Sequence, residues 1–379
     1  MTTEQNNPLR LLSLFGQSFW LDQISRSMIR SGQLRRLRVQ DGLRGVTSNP
    51  SIFEKAISAS TDYDTQILEA ASAGATVEAI YEALAIQDIC EACDELRPVF
   101  DESGGRDGFV SLEVSPLLAH STEETLQDVR RLTREVDRPN LLIKVPATPE
   151  GLPAIEEALY EGYSINVTLI FSIDVYEQVA ERYLRALERR VNSRKPVDRI
   201  ASVASFFVSR IDVLVDSILE HKARSGGLDE ETLRRLRGRA AIACARLVYD
   251  RFLTIFRTER FRALEAKGAA VQRPLWGSTS TKNPQYRDVM YVEPLIVPDT
   301  VNTLPLETAE AFRDHGIARA TITENLDQAR RTLEDLAAVG IDMNQVTDRL
   351  LREGVQKFVE PYQKLLANIE KRSRALTSR

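Results

Sequence analysis

A (β/α)8 TIM barrel with additional C-terminal helices is the α/β fold that the sequence predicts, on three observations. Short apolar, β-branched runs recur along the chain, longer amphipathic stretches separate them, and the units number about eight, the count that closes a parallel barrel. Strands in such units are covered on both faces and read as near-continuous apolar runs. A doubly wound open sheet competes, but no Gly-x-Gly-x-x-Gly follows the first strand and no Walker A sequence occurs.

In chain order the expected strands are Ser18–Asp22, Gly45–Ser48, Phe109–Val114, Leu141–Val145, Ile165–Phe171, Ile200–Val208 and Val271–Trp276. The eighth is either Tyr291–Val297 or Thr300–Leu304. Val175, Val179, Tyr183, Leu184 and Leu187 form one helical stripe, and Leu247, Val248, Phe252, Ile255 and Phe256 form another. Ala73–Gly74 and Ser225–Gly226–Gly227 read as helix-ending turns, and Asp101–Gly108 as a loop entering the third strand. After about Glu324 the pattern is helical and polar-faced, an appendage packed on the barrel. The expected organisation is one domain over 1–379, with the barrel at about 16–320 and the helical extension at about 321–379.

Composition narrows the function classes. The chain has 379 residues, 43% of them hydrophobic, which is enough for a large core and too much for a disordered chain. Its 50 basic and 55 acidic residues give a net charge of −5, with no block of like charge that would make a nucleic-acid arm. Leu9–Phe15 is apolar, but Arg10 interrupts it and no basic segment precedes it, so neither a signal peptide nor a membrane span is expected. Cys90, Cys93 and Cys244 cannot form a disulfide framework, and a cytoplasmic enzyme is the expectation. Cys90 and Cys93 have metal-like spacing, but they sit in a helical pattern without a second pair and read as helix packing. His120, His221 and His315 lie in no metal-binding or triad context.

Polar residues inside doubly covered strands need a reason. Lys144 lies in Leu141–Leu142–Ile143–Lys144–Val145–Pro146 with apolar neighbours on both sides. It is either a strand-end lysine paired with a carboxylate or an amine held in a low-dielectric pocket. At a reference pKa of about 10.4, only about one lysine in 2,500 is neutral at pH 7. Bringing that value near neutrality costs the ammonium form about 4 kcal/mol and yields a nucleophile able to capture a carbonyl as an imine.

Other strands carry polar groups at similar positions. Glu113 lies in the third run, and Asp22 closes the first. Asn166 and Thr168, two apart in the fifth, face the same side, with Ile165, Val167 and Leu169 facing the other. Ser205 lies in the sixth, followed by Arg210. Each taken alone reads as a strand-end cap or a structural hydrogen bond, but strand ends converge at the C-terminal mouth, where barrel active sites sit. Asn49 reads as a helix N-cap with Pro50 at the first helical position, a role that also lets Asn49 face the mouth. Gly277–Asn283, with Ser280 and Lys282, follows the seventh strand at the usual phosphate position of such barrels, and Arg210 supplies a second charge.

These residues bring a family into view. Asp41–Phe53 (DGLRGVTSNPSIF) resembles the N-terminal signature of the transaldolases, and Asn140–Ser172 resembles their Schiff-base signature. Ser202–Asp212 (SVASFFVSRID) and Leu275–Pro284 (LWGSTSTKNP) complete a resemblance to the longer bacterial members that runs from about Ser18 to Pro305, with extra helical sequence around Glu220–Ala270. The resemblance implies a class I aldolase-type barrel without metal or organic cofactor. Such enzymes move a dihydroxyacetone unit from sedoheptulose 7-phosphate to glyceraldehyde 3-phosphate, giving erythrose 4-phosphate and fructose 6-phosphate in the pentose phosphate pathway.

By position, Lys144 matches the Schiff-base lysine, Asp22 the acid/base at the C4 hydroxyl, and Glu113 with Thr168 the pair holding a catalytic water. Asn49, Asn166 and Ser205 match residues that hold the dihydroxyacetone hydroxyls, and Arg210, Ser280 and Lys282 match the phosphate site. Lys282 stands where many members have arginine, which removes bidentate phosphate geometry. The resemblance implies sugar-phosphate partners, no nucleic acid, no membrane, and a monomer or homodimer. The alternatives are a fructose 6-phosphate aldolase-like lyase on the same scaffold or a catalytically silent sugar-phosphate-binding barrel. Phe207 distinguishes the lyase, because a phenol there would deliver protons for release of free dihydroxyacetone and a phenyl ring does not.

Overall fold

The computed structural model describes residues 7–321 and 325–378; Glu324, the expected start of the C-terminal helices, lies outside them. Eight parallel strands close into a barrel in sequence order, with the last pairing to the first from Gln17↔Thr300 to Leu21↔Leu304. The strands are β1 (Gln17–Leu21), β2 (Gly45–Thr47), β3 (Phe109–Glu113), β4 (Leu141–Pro146), β5 (Ile165–Ile170), β6 (Ser202–Phe207), β7 (Arg273–Gly277) and β8 (Thr300–Leu304). Closure excludes the open doubly wound sheet.

α-Helices fill every connection except that between β7 and β8. α1 (Pro8–Leu11) precedes β1, and α2 (Arg26–Arg30) and α3 (Gln33–Asp41) lead to β2. α4 (Pro50–Ala59), α5 (Asp64–Ser72) and α6 (Val77–Glu102) lead to β3, and α7 (Thr122–Val136) to β4. α8 (Gly151–Glu161) and α9 (Ile173–Asn192) flank β5. The connection between β6 and β7 holds α10 (Ser209–Arg224), α11 (Glu230–Leu236), α12 (Ala240–Phe256) and α13 (Glu259–Glu265). α14 (Leu306–His315), α15 (Leu326–Ala338) and α16 (Met343–Thr377) follow β8. Capping matches the sequence signals: the Asn49 side chain accepts from the Ile52 amide with Pro50 at the first helical position, and Gly74 and Gly226 end α5 and α10 in left-handed conformations. Cys90 and Cys93 both lie on α6. Among the described residues, no helix is long and apolar enough to cross a membrane.

Several boundaries differ from the sequence reading. β6 begins at Ser202, because Ile200 is held in a turn to the Val197 carbonyl. β7 begins at Arg273 rather than Val271, and Ser48, Val114 and Phe171 lie just past their strands. The eighth strand is Thr300–Leu304; in Tyr291–Val297, Pro294 cannot donate to a ladder and Glu293–Leu295 forms a short 3-10 turn. That segment is apolar because it is buried, and its Leu295 carbonyl accepts from Gln17 and Trp276.

The fifth strand breaks alternation. The register to β6 slips between Val167 and Ile170, and Leu169 adopts φ +60°, an uncommon conformation for a leucine. Leu169 therefore turns toward α16 instead of joining Ile165 and Val167: a Cβ added to Gly354 of that helix would lie 3.1 Å from its side chain. α16 is not polar-faced either. Val346, Leu350, Val355, Phe358, Tyr362, Leu365 and Ile369 form a buried stripe packed over α4, α5 and α6. Arg372 donates to the Ile57 and Ser60 carbonyls, and Lys364 pairs with Glu54 at 2.9 Å, so the helix is fastened to α4.

Inside the barrel, Trp20, Phe109, Leu142, Val203, Leu275 and Val301 form a distinct apolar layer beneath the mouth. The Trp20 indole donates to Asp107 at 2.9 Å, and Asp107 also receives Ser18 and Arg273. Gly45 on β2 faces this indole, and a Cβ there would lie 2.4 Å from the ring. Gly45→Ala should therefore force the Trp20 layer apart and destabilise the protein by about 1–3 kcal/mol, read from urea unfolding midpoints. A wild-type midpoint would contradict that packing.

Candidate active site

At the C-terminal ends of the strands the barrel opens into a cavity of about 670 Å³, within the usual size of small-ligand sites. Asp22, Asn49, Lys144, Thr168, Ser205, Arg210, Ser280 and Lys282 all line it, so eight of the ten residues singled out from sequence share one pocket.

Lys144 is 4% exposed. Strand register sets Glu113 of β3 directly beside it on β4. Its Nζ donates to the Ser48 carbonyl at 2.9 Å and pairs with Glu113 Oε2 at 3.4 Å. That carboxylate oxygen is buried and has no hydrogen-bond donor among the described residues. Burial pushes the Glu113 carboxyl up to about 7, against the pull of Lys144. Across the amine, Asp22 accepts from Thr47 Oγ1 at 2.7 Å, and Thr47 in turn meets Thr303 at 2.8 Å. Asp22 is also raised, by burial first, while Lys144, Thr47, Arg210 and Lys282 oppose the shift. Two carboxyls with a high affinity for protons thus flank one amine.

Thr168 Oγ1 is buried and without a hydrogen-bond partner among the described residues, a donor free for a ligand or water. The β5 bulge immediately after it fixes its place at the rim. Glu113 and Asn166 stand apart from the cavity wall. Glu113 lies behind Lys144 and borders two smaller clefts. Asn166 lies fully buried, donating to Ser111 at 3.0 Å and accepting from Ser205 at 2.6 Å. Asn166 thus reaches the pocket through Ser205.

The pocket also holds cations. Arg210 sits over the Phe207 ring at 5.3 Å and near the Phe358 ring at 6.0 Å, and its Nη1 is buried without a hydrogen-bond partner among the described residues. Lys282 donates to Ser280. Burial is the largest cause lowering both Arg210 and Lys282, against the pull of Asp22 on each, and cations of this kind are suited to a phosphate. Ser278, with φ +53°, turns the loop after β7 so that Ser280 and Lys282 face inward.

The family model for transaldolase/fructose-6-phosphate aldolase matches residues 19–369. The chain belongs to the transaldolase/fructose-6-phosphate aldolase family. It is 44% identical over 376 residues to transaldolase 2 of Nostoc punctiforme, covering 98% of this chain and 99% of that one. It is 47% identical over 365 residues to the transaldolase of Frankia alni, with 96% and 97% covered. Against the transaldolase of Mycobacterium marinum it is 46% identical over 364 residues, with 96% of each covered.

Within this transaldolase-family mouth, sequence reasoning missed Lys55, Thr47 and Phe358. Lys55, on α4, lines the cavity and adds positive charge near Lys282, but reads as an ordinary surface lysine. Thr47 stood inside the quoted motif, and its pairing with Asp22 depends on the β1–β2 register. Phe358 lies 5.7 Å from Lys144 Nζ, and only the path of α16 reveals it.

Glu113 also makes stability depend on pH. Its folded-state value of about 7 exceeds the ordinary 4.5, so between those values the folded protein holds a proton that the unfolded chain has released. The stabilising effect of protonation is complete below about 4.5 and is lost as pH rises through 7. Relative to wild type, Glu113→Gln should therefore be more stable at pH 8 than at pH 5, by about 1–3 kcal/mol. Equal differences at the two pH values in calorimetry would contradict this.

Proposed function

We propose that this transaldolase-family enzyme transfers a dihydroxyacetone unit between sugar phosphates through an imine on Lys144, with sedoheptulose 7-phosphate and fructose 6-phosphate as donors and glyceraldehyde 3-phosphate and erythrose 4-phosphate as acceptors. The observation that carries the reading is the buried Lys144 amine beside Glu113, in a pocket that also holds Asp22 and the cations Arg210 and Lys282.

The chemistry follows from those positions. The neutral amine adds to the ketose C2 carbonyl, and the resulting carbinolamine loses its hydroxyl as water when Glu113 supplies a proton. The iminium is an electron sink. Asp22 takes the proton of the C4 hydroxyl, the C3–C4 bond breaks, and its electron pair becomes the enamine as the aldehyde leaves. The enamine carbon then attacks the second aldehyde, Asp22 returns its proton to the new hydroxyl, and water hydrolyses the imine. Burial raises the proton affinity of Asp22, which suits it to take and return that proton.

Thr168 and Glu113 hold the water in this scheme. Asn49 and Ser205, the latter braced by Asn166, hold the dihydroxyacetone hydroxyls. Arg210, Lys282 and Ser280 hold the phosphate. Phe207, with its ring against Phe171 and beneath Arg210, favours transfer over lyase release because it has no hydroxyl to deliver a proton to the enamine. No organic cofactor or metal enters these steps. The setting consistent with the sequence is the cytoplasm, with no nucleic-acid or membrane partner, as a monomer or homodimer.

Borohydride reduction in the presence of fructose 6-phosphate, followed by peptide mapping, should place a dihydroxyacetone-sized adduct on Lys144. No adduct, or one on another lysine, would overturn the reading. Asp22→Ala should still form the imine, trapped on Lys144 with the whole fructose 6-phosphate chain uncleaved, while transfer turnover falls by about 10²-fold or more; undiminished turnover would remove Asp22 from the acid/base role.

A further inference from the structure

We infer that a second, smaller cleft behind β3 is the water and proton entrance of the imine chemistry, with Tyr81 and Tyr362 passing protons between Glu113 and solvent. This rests on the reading of Lys144 as the imine-forming residue.

The need for such an entrance arises from the mouth. Each cycle expels one water at imine formation and consumes one at hydrolysis. With a sugar phosphate in the main cavity and Phe358 beside the amine, the sugar itself stands between Lys144 and bulk solvent. Glu113, which exchanges the protons, lies on the other side of the lysine. Its side chain is 5% exposed, and its Oε2 has no hydrogen-bond donor among the described residues.

Glu113 borders a cleft walled by Tyr81, Glu82, Ser115, Asp128 and Tyr362, with room for one or two waters. Tyr81 comes from α6 and Tyr362 from α16, and their rings meet edge-on at 5.5 Å. The outer rim is polar: Asp128 accepts from the Ser115 amide at 3.1 Å, and Arg131 joins Asp128 to Glu82. A polar rim around so small a space favours bound water over an empty void. Burial raises Tyr81, and the charges of Tyr362 and Glu113 add to the shift, so its hydroxyl remains a proton donor.

The proton balance closes. The carbinolamine hydroxyl leaves as water with the proton of Glu113, which becomes a carboxylate. Through a water in the cleft, Tyr81 gives its proton to that carboxylate while accepting one from the Tyr362 side, and solvent restores Tyr362. Hydrolysis runs the same relay backward, so Tyr81 and Tyr362 position and relay without touching the sugar.

The test uses the full-length protein and fructose 6-phosphate carrying ¹⁸O at C2. Wild type should release the label into water and form the borohydride-trapped Lys144 adduct. Tyr81→Phe and Tyr362→Phe keep both rings. Each should slow label loss and adduct formation by about five- to tenfold, while KM for fructose 6-phosphate and the thermal midpoint stay at wild-type values. Label loss at the wild-type rate in both variants would overturn the relay, as would a slowing matched by a higher KM or a lower midpoint, the mark of a merely structural role. Wild-type protein that forms no Lys144 adduct would instead overturn the imine reading, and the relay with it.

Discussion

A lysine amine kept out of bulk water, between a backbone carbonyl and a buried carboxyl, is the contact on which the site depends. A buried charge left alone is costly, so Lys144 is held in one geometry by the Ser48 carbonyl and Glu113. Glu113 comes from the adjacent strand β3, and Ser48 from the end of β2, one strand further round the barrel. β2 delivers Ser48 because Asn49 caps α4 directly afterwards, and β3 delivers Glu113 through its register with β4. The closed barrel is therefore more than a scaffold: a slip of one residue in any of these pairings would turn Glu113 or Lys144 to the opposite face.

Carboxyls with raised proton affinity and the cations Arg210 and Lys282 meet around one pocket, close enough that both cations act on Asp22. The chain that follows β8 completes the enclosure. α16 crosses back over α4 and α6, sets Phe358 beside the amine and seats Gly354 against Leu169, so a segment about two hundred residues from the lysine in sequence forms part of the wall around it.

Most of this was legible in the chain before its fold was known, for a physical reason. Strands covered on both faces exclude polar side chains unless something uses them, so Lys144, Glu113, Thr168 and Ser205 stand out from their apolar neighbours. What stayed hidden depends on contacts rather than pattern. Nothing in INVTLIF marks the bulge that turns Leu169 over, because the positive φ of that residue is imposed by the partner strands. Tyr291–Val297 resembled a strand because it is apolar, yet it is apolar because it is buried beneath β7 and α12. The stripe on α16 was diluted by its many charged residues, and Phe358 reads as one core position among several. Glu113 and Asn166 belong to the expected set, but their places one step behind the pocket surface follow from side-chain packing that spacing does not encode.

A crystal structure of the protein soaked with fructose 6-phosphate and trapped by reduction would show whether the Lys144 nitrogen bonds to a ketose carbon in this enclosed mouth. Continuous density should run from Lys144 Nζ to C2 of the trapped fragment, with the contact to the Ser48 carbonyl broken and Asp22 within hydrogen-bond reach of where C4 leaves. A sugar phosphate lying in the pocket with Lys144 still bonded to Ser48 and no density joining them would contradict that bond.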